Sequence, residues 1–528
     1  MSQNLYTVSL YDTLGPETTE YIINHAALTA VCTSLNHIPT LLKLAPRCPS
    51  LKIIISLDPL TDGTELPGLS KADILNSIAA ETDIKIRYIR DVEALGESAP
   101  RPYHTPRPED IVTVNYTSGT TGPPKGVILT HANAIAAASS SMCLADQKKN
   151  DVMCSYLPLA HIYERVTEAS ALWSGAAIGY FHGNVLELID DFKALRPTTL
   201  ISVPRLYNRF GGSIKATTVE QSGVKGALSR HVVSTKLASL KAAEPGVVAN
   251  KHAFYDRIWG RKVAAGLGLE RARTMVSGSA PIDPSLQQFM RVVFGNNFIQ
   301  GYGLTETYAI ALGQIEGDMT AGNCGGVCPT TELCLLDVPD MEYLSTDKPH
   351  PRGELLVRGP TVFREYYKNP EETEKAKLPD GWFRTGDICS VDEMGRFRII
   401  DRRKNVLKLA QGEYISPERI ENVYLGNTTW LAQAYVHGDS DKSSLVAIFG
   451  IQPDTFAGFV SKIVGKEIAA TDYQALHAAA QEGKVRKAVL KELERIGKKN
   501  KFNSYERVRA VRLALEPFTI DNELLTPT

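Results

Sequence analysis

The strongest local signal in the sequence is the glycine-rich segment Tyr116-Thr-Ser-Gly119-Thr-Thr-Gly122-Pro-Pro-Lys125-Gly126. It follows residues 111–116, an apolar and β-branched run that predicts a buried strand leading into a glycine-rich loop. Three glycines, four hydroxyl side chains and a lysine offer backbone N–H groups, O–H donors and a cation, which suit a polyphosphate. The candidate phosphate ligands are Thr117, Ser118, Gly119, Thr120, Thr121, Gly122 and Lys125.

This loop differs from the Walker A loop of P-loop nucleotidases. Pro124 stands where that pattern needs its second glycine, and Lys125 is followed by Gly126 instead of the Ser or Thr that would hold Mg²⁺. The sequence therefore argues against P-loop NTPases and kinases. A flexible Ser/Thr/Gly turn without a ligand is the structural alternative.

Short β-branched runs alternate with longer helical patterns on both sides of the loop. Each run precedes Gly or Pro and then a helix-like stretch: residues 51–56, 111–116, 199–203 and 274–276. This alternation predicts an α/β fold with layered sheets. After Asp387 the strands become shorter, around residues 396–400 and 434–437, before further helical stretches.

The length of 528 residues predicts several domains or subdomains, at about 150 residues each. The basic segment Asp401-Arg-Arg-Lys404 predicts a linker, so we expect a large domain over 1–401, a hinge over 402–404 and a small α+β domain over 405–528. Within the small domain, apolar residues recur at helical spacing, with Gly497 as the candidate C-cap: Val485, Val489, Leu493 and Ile496.

Composition excludes several classes of protein. With 43% hydrophobic and 22% charged residues and a net charge of -1, the chain is a globular protein without a field that attracts nucleic acid. Eight cysteines suggest a reducing compartment. We find no signal peptide pattern, no apolar run long enough to span a bilayer and no C-terminal Ser-Lys-Leu. The expected location is intracellular, either cytoplasmic or peripheral on an ER, lipid-droplet or peroxisomal membrane.

Five further motifs follow the glycine-rich loop in order: Tyr156-Leu-Pro-Leu-Ala-His161-Ile-Tyr-Glu-Arg165, Gly278-Ser279-Ala280-Pro281, Gln300-Gly301-Tyr302-Gly303-Leu-Thr305-Glu306-Thr307, Gly381-Trp-Phe-Arg-Thr-Gly-Asp387 and Ile400-Asp-Arg402-Arg-Lys404. Together with the loop they resemble the core motifs of the AMP-forming acyl-CoA synthetases, which share a superfamily with luciferases and peptide-synthetase adenylation domains. The resemblance runs from about Tyr11 to the last residue.

The resemblance gives these residues physical roles. Gly301 and Gly303 could begin a dinucleotide fingerprint, but Glu306 stands where its third Gly is needed, and adenine binding by the face of Tyr302 suits the spacing better. Thr305 can donate its hydroxyl to the α-phosphate. Glu306 offers a carboxylate to Mg²⁺, which takes few protein ligands. Gly278, Ser279, Ala280 and Pro281 would let the backbone approach adenine closely.

The remaining site residues are also assigned by resemblance. It implies that Asp387 binds the ribose hydroxyls, that Arg402 reaches the same nucleotide and that His161 lines the junction of the acyl carboxylate and the α-phosphate. Lys404 matches the hinge, and Lys408 would face the site after rotation. The structural alternatives are a turn aspartate, a packed or capping histidine and a solvated linker lysine.

The implied reaction has two displacements. A carboxylate attacks ATP to give acyl-AMP and pyrophosphate, and the sulfur of coenzyme A then takes the acyl group, with Mg²⁺ assisting. Residues 157–165, residues 202–207 and the insertion between Phe210 and Arg273 resemble eukaryotic long-chain fatty acyl-CoA synthetases, in which an aromatic near Tyr207 gates a fatty-acid tunnel. The expected partners are a fatty acid, ATP and CoA.

The ends of the sequence leave other functions open. The family carries a substantial stretch before the segment that begins at Tyr11, and its Lys-bearing closing motif would follow Thr528, so the sequence is expected to be truncated at both ends. The alternatives are a non-catalytic homologue, an enzyme of one half-reaction, and a ligase that loads a carrier protein in secondary metabolism.

Overall fold

The computed structural model describes residues 3–11, 15–61, 70–117, 123–244, 246–403, 405, 407–410, 413–439, 441–519, 522 and 524. The chain forms two compact units. The first comprises Met1–His131, Arg364–Pro370 and Thr519–Thr528, and the second comprises Ala132–Phe363 and Glu371–Phe518.

The first unit contains two three-stranded sheets, β1-β5-β6 and β2-β3-β4. Its strands are β1 (Thr7–Ser9), β2 (Ala30–Thr33), β3 (Ile53–Ser56), β4 (Lys85–Tyr88), β5 (Ile111–Thr117) and β6 (Lys125–Thr130). Its helices are α1 (Pro16–His25), α2 (Ile38–Leu44), α3 (Lys71–Ala80) and α4 (Ile89–Ser98). β5 is the predicted strand before the loop, and its antiparallel partner β6 begins at Lys125, opposite Thr117.

The second unit is larger. Its strands are β7 (Val152–Ser155), β8 (Ala177–Tyr180), β9 (Thr199–Ser202), β10 (Thr274–Ser277), β11 (Asn297–Tyr302), β12 (Leu312–Gly313), β13 (Gly326–Val327), β14 (Glu332–Leu336), β15 (Arg352–Arg358), β16 (Phe383–Val391), β17 (Phe397–Arg402), β18 (Leu407–Lys408), β19 (Tyr414–Ile415), β20 (Leu431–His437), β21 (Leu445–Ile451) and β22 (Val508–Ala514).

The second unit also contains most of the helices of the chain. They are α5 (His131–Ala145), α6 (Ile162–Ser174), α7 (Leu188–Leu195), α8 (Pro204–Thr217), α9 (Gly223–Ala242), α10 (Ala253–Tyr255), α11 (Arg261–Gly266), α12 (Pro284–Phe294), α13 (Pro370–Ala376), α14 (Pro417–Asn427), α15 (Pro453–Val464), α16 (Tyr473–Gln481) and α17 (Gly483–Lys499). Within the described residues, every helix is too short or too polar to cross a bilayer.

A seven-stranded sheet positions the site, in the order β13-β12-β11-β10-β9-β7-β8. The five strands β7 to β11 are parallel to one another. β12 runs antiparallel to β11, and β13, which is antiparallel to β12, again has the direction of β11. Ligands of parallel α/β sheets bind beyond the carboxyl ends of the strands. β10 and β11 end at the Gly278 and Tyr302 motifs, so the topology brings these two motifs to one sheet edge.

Arg291 of α12 is fully buried and anchors the sheet. Its Nε donates to the carbonyl of Phe298 on β11 at 2.9 Å, and its other nitrogens donate to the carbonyl of Thr320 at 2.6 Å and to Oε1 of Gln314 at 3.3 Å. Burial lowers the pKa of Arg291 to about 10, so the guanidinium stays charged at neutral pH.

Arg291→Met is expected to lower the free energy of unfolding by about 2 kcal/mol, because these buried acceptors would lose their donor. Chemical denaturation measures the change. Arg495→Met is the matched control, because Arg495 is exposed and pairs with Glu492 within one helix, so its loss should cost under about 0.5 kcal/mol. Equal destabilisation by both variants would contradict the anchoring role.

The C-terminal part of the second unit has a hydrophobic core of its own, whose buried members lie between Leu409 and Leu513. The predicted apolar stripe of α17 is confirmed, because Val485, Val489, Leu493 and Ile496 are all fully buried. The predicted cap is wrong. Gly497 lies inside α17, and Asn500 caps the helix, donating its backbone N–H to the carbonyl of Ile496.

Candidate active site

The larger cavity of the second unit has a volume of about 350 Å³ and lies at the carboxyl ends of β10 and β11. Four predicted motifs supply its wall: Ser279, Ala280, Pro281, Gly301, Tyr302, Gly303, Asp387 and Arg402. The N-terminal end of α14 closes it with Ser416, Glu418 and Arg419. Eight of the residues expected to bind the nucleotide therefore line one cavity, whereas Gly278 lines the adjoining one.

Asp387 is the electrostatic centre of this cavity. The hydroxyl of Tyr302 donates to its Oδ2 at 2.5 Å, and Arg402 Nε lies 3.3 Å from Oδ1. Burial raises the pKa of Asp387, while Arg402 and Tyr302 act against that rise. Burial also raises the pKa of Tyr302 well above its ordinary range, so its hydroxyl keeps the proton that it donates.

Asp387 is not the turn aspartate of the structural alternative. It lies inside strand β16, paired with Arg402 of β17. The preceding Gly386 has a φ of +74°, so the strand bends there without leaving the sheet. Pairing of the two strands places the Asp387 carboxylate and the Arg402 guanidinium side by side.

A second cavity of about 180 Å³ adjoins the first. Six residues line both: Ser279, Gln300, Gly301, Tyr302, Gly303 and Arg402. Its other polar wall carries His161 and Thr305. The rest is largely apolar, with Leu144, Val166, Ile201, Val276, Ile299 and Leu312. A ligand with a nucleotide end and an apolar end would fit the two cavities together.

His161 begins α6 as its N-cap. Its Nδ1 accepts a hydrogen bond from the backbone N–H of Tyr163 at 3.2 Å, which assigns the proton of the neutral ring to Nε2. Burial lowers the pKa of His161, so the ring is neutral at physiological pH. The capping alternative and the site prediction are thus compatible, since the same ring caps a helix and lines the cavity.

Thr305 and Glu306 lie on a short 3₁₀ turn after Gly303. The backbone N–H of Phe363 donates to the Glu306 carbonyl at 2.8 Å and holds this turn in place. Within the part of the chain that the structure describes, no three His, Cys, Asp or Glu side chains converge as a metal site. Thr305 lines the second cavity, whereas Glu306 lines neither cavity, so the Glu306 carboxylate stays a prediction for Mg²⁺, which takes few protein ligands.

The other predicted residues have different placements. Thr117 and Lys125 lie in the first unit, at the facing ends of β5 and β6. Ser118, Gly119, Thr120, Thr121, Gly122 and Lys404 lie outside the described residues. Lys408 is in β18, and its side chain is outside the description.

Tyr207 lies in the core of the second unit. It is fully buried, its hydroxyl donates to the carbonyls of Leu200 and Val276 at 3.0 and 3.1 Å, and its ring packs on Phe298. It lines neither cavity. This placement is that of a packing residue, so the gate stays a prediction without geometric support.

Sequence reasoning missed several residues at the site. Gln300 lines both cavities, and Glu418 and Arg419 of α14 line the larger one. The Ser416-Pro417-Glu418 sequence is a helix N-terminus signal that locates α14. It gives no indication that α14 faces the nucleotide cavity, because that depends on contacts far apart in the sequence.

Glu164 was quoted only as part of a motif. It is 2% exposed, and its Oε1 has no hydrogen-bond partner among the described residues. Burial raises the pKa of Glu164 to about 7; a hydrogen bond with Ser155 acts against that rise, and the nearby Glu168 carboxylate contributes to it. The unfolded chain ionises this group near pH 4.5, so between that pH and about 7 unfolding releases a proton and stability falls as pH rises.

Glu164→Gln is therefore expected to alter stability in a pH-dependent way. Compared with its effect at pH 4, it should favour the folded state at pH 8 by about 3 kcal/mol, because the variant avoids the cost of ionising a buried carboxyl. Denaturant titration at the two pH values measures this. Glu467→Gln, at an exposed position, is the control. A Glu164→Gln effect that is the same at both pH values would contradict the prediction.

The two adjoining cavities lie beyond the carboxyl ends of parallel strands, where α/β proteins bind their ligands. The sequence profile of the AMP-binding enzymes matches residues 1–367, and the chain belongs to that family. The predicted resemblance and the α/β fold are both confirmed.

Known proteins resemble the chain over its full length. It is 60% identical over 528 residues to the peroxisomal acyl-CoA ligase 891 of Penicillium brevicompactum, covering 100% of this chain and 74% of the relative. It is 41% identical over 527 residues to the peroxisomal long chain acyl-CoA synthetase 7 of Arabidopsis thaliana, covering 99% and 71%.

A solved structure shares the fold. The A domain of carboxylic acid reductase from Segniliparus rugosus, in complex with AMP and a co-purified carboxylic acid, superposes with a TM-score of 0.76 at 26% identity. The match covers 99% of this chain and 75% of that one.

Proposed function

We propose that the chain activates a long-chain fatty acid with ATP through an acyl-AMP intermediate and transfers the acyl group to coenzyme A. The observation that carries the proposal is the shared wall of the two cavities, which suits a molecule made of a nucleotide joined to an apolar chain. The names of the relatives, which include long-chain ligases, support the choice of acid and acceptor.

In the proposed first step, a carboxylate oxygen of the fatty acid attacks the α-phosphorus of ATP, and the bond from phosphorus to the pyrophosphate oxygen breaks. Thr305 and the Nε2–H of His161 would donate to the oxygens on which charge develops, a form of stabilisation that is strong in a cavity closed to water. Asp387 would accept from the ribose hydroxyls, Tyr302 would lie against adenine and Arg402 would contact the same nucleotide.

The loop between Thr117 and Lys125 would bind the β- and γ-phosphates. Glu306, beside Thr305, would hold Mg²⁺, which when bound neutralises phosphate charge. The chain's own contribution is to hold the acid and the nucleotide in line for attack, which is the main source of rate in phosphoryl chemistry of this type.

In the second step, the sulfur of coenzyme A would attack the acyl carbonyl carbon, and AMP would leave. We propose that residues 405–528 rotate against 1–401 about the hinge at 402–404 between the steps, with Lys404 at the pivot and Lys408 turned toward the site. The separate hydrophobic core between Leu409 and Leu513 supports a small domain that moves as one body.

The test is an assay of both half-reactions. We expect pyrophosphate release that requires ATP, Mg²⁺ and a long-chain fatty acid, followed by thioester formation with coenzyme A. A carrier protein should replace coenzyme A poorly. This comparison matters because a structure of similar fold holds an adenylation domain together with a carrier domain. Acid-dependent pyrophosphate release with transfer only to a carrier would contradict the proposed acceptor, and failure to bind AMP would contradict the whole proposal.

We also propose a peroxisomal location, because relatives of Penicillium and Arabidopsis carry that location in their names. Fluorescent tagging beside a peroxisomal marker tests it. A diffuse cytoplasmic signal from the complete protein in its own cell would contradict it.

A further inference from the structure

Lys125 rests against an aromatic ring in the first unit. Its ammonium nitrogen lies 5.0 Å from the ring centroid of Tyr366. The lysine is the first residue of β6 and pairs in register with Thr117, the last residue of β5. Lys125 thus lies where the glycine-rich segment meets β6. The contacts of its side chain determine where its ammonium group points.

The position of the Tyr366 ring is fixed by burial and by backbone pairing. The residue is 6% exposed, and an antiparallel bridge pairs it with Val127 of β6. Its neighbours extend this pairing, because the Tyr367 N–H donates to the Gly126 carbonyl at 2.7 Å and the Arg364 N–H donates to the Ile128 carbonyl at 3.1 Å. The Ile128 N–H donates back to the Glu365 carbonyl at 3.1 Å. The backbone of residues 364–367 therefore keeps the ring beside β6.

A cation over an aromatic face is attracted to the ring, and a lysine side chain loses rotamer entropy when a ligand immobilises it. A ring that already restricts the lysine reduces that loss at the moment of binding. We propose that Tyr366 is a positioning residue, whose ring holds the Lys125 ammonium ready for the β- and γ-phosphates of ATP. This inference rests on the proposed function of the loop.

The test measures affinity for ATP and for AMP by calorimetric titration of the full chain. AMP lacks the β- and γ-phosphates, so its affinity controls for folding and for the nucleotide cavity. Tyr366→Leu is expected to raise the Kd for ATP about five-fold and to leave the Kd for AMP unchanged. Tyr366→Phe keeps the ring face and should bind ATP like the unsubstituted chain. Tyr366→Met is the second ring-free variant if leucine impairs folding.

A double-mutant cycle isolates the coupling between the two residues. Lys125→Met should weaken ATP binding by itself, and Tyr366→Leu should add nothing in that background. If Lys125→Met weakens ATP binding but the ring-free variants do not, the positioning role is overturned and the loop assignment stands. Tighter ATP binding by the ring-free variants would also overturn it.

Two other results would also overturn the assignments on which this inference rests. If Lys125→Met leaves ATP affinity unchanged while AMP still binds, both the lysine assignment and the positioning role fall, and the nucleotide site remains. If the unsubstituted chain binds neither nucleotide, the proposed function fails and this inference fails with it.

Discussion

An Asp387→Ala variant is expected to bind ATP about 100-fold more weakly than the unsubstituted chain, because two charge-assisted hydrogen bonds to the ribose would be lost. The carboxylate is buried and is already oriented by the Tyr302 hydroxyl at 2.5 Å and by Arg402 at 3.3 Å. Each carboxylate oxygen can accept a second donor. The ribose hydroxyls can therefore bind without displacing either protein partner.

Calorimetric titration with ATP measures this change, and chemical denaturation checks that the variant is folded. Two controls separate the causes. Tyr302→Phe removes the orienting hydroxyl and keeps the carboxylate, so it should cost much less affinity than Asp387→Ala. Asp387→Asn keeps an acceptor without the charge and should fall between them. Unchanged ATP affinity in a folded Asp387→Ala variant would exclude the ribose assignment.

A Gly303→Ala variant is expected to lower kcat for the adenylation step about 1,000-fold, because it moves the turn that carries Thr305. A Cβ at this position would lie 2.2 Å from the carbonyl carbon and oxygen of Ala309 and 2.4 Å from the Ile310 nitrogen. All three are backbone atoms, so no side-chain rotation relieves the overlap. Relief of the overlap requires the backbone segments to move apart, which would break the hydrogen bond that the Ala309 N–H donates to the Leu304 carbonyl at 2.8 Å.

Gly301→Ala is the matched control for this variant. Its Cβ would come no closer than 3.4 Å to the Leu312 carbonyl, which is an ordinary contact, so activity should stay within about ten-fold of the unsubstituted chain. Fatty-acid-dependent pyrophosphate release measures both variants. A Gly303→Ala enzyme as active as Gly301→Ala would show that the turn need not be fixed for adenylation.

The sequence predicts those features that depend on local pattern. Strands β5, β9 and β10 occur where β-branched runs meet Gly or Pro, and the apolar spacing of α17 matches its buried face. The predicted residues of the nucleotide cavity, such as Tyr302 and Asp387, were found because each belongs to a motif with a distinctive composition. These residues lie together because β10 and β11 are parallel neighbours, so that both strands end at the same edge of the sheet.

Other features depend on contacts between distant residues and could not be predicted. The partner of Asp387 is Tyr302, 85 residues away, and neither motif alone indicates a hydrogen bond between them. Gly497 is a residue type common at helix ends, yet α17 continues through it to Lys499, and an added Cβ at Gly497 would lie 3.2 Å from the ring of Phe502. Tyr207 lies in a segment similar to a substrate gate, yet its hydroxyl satisfies two strand carbonyls in the core.

The wall that the two cavities share affects which acids the enzyme can use. An acid that is too bulky for the smaller cavity presses on Gly301, Tyr302 and Gly303, the same backbone that lines the nucleotide cavity. Such an acid could still bind, but it would disturb the alignment of its carboxylate with the α-phosphorus. Wrong acids would then be rejected by slow chemistry more than by weak binding, so competing substrates should differ in kcat more than in KM.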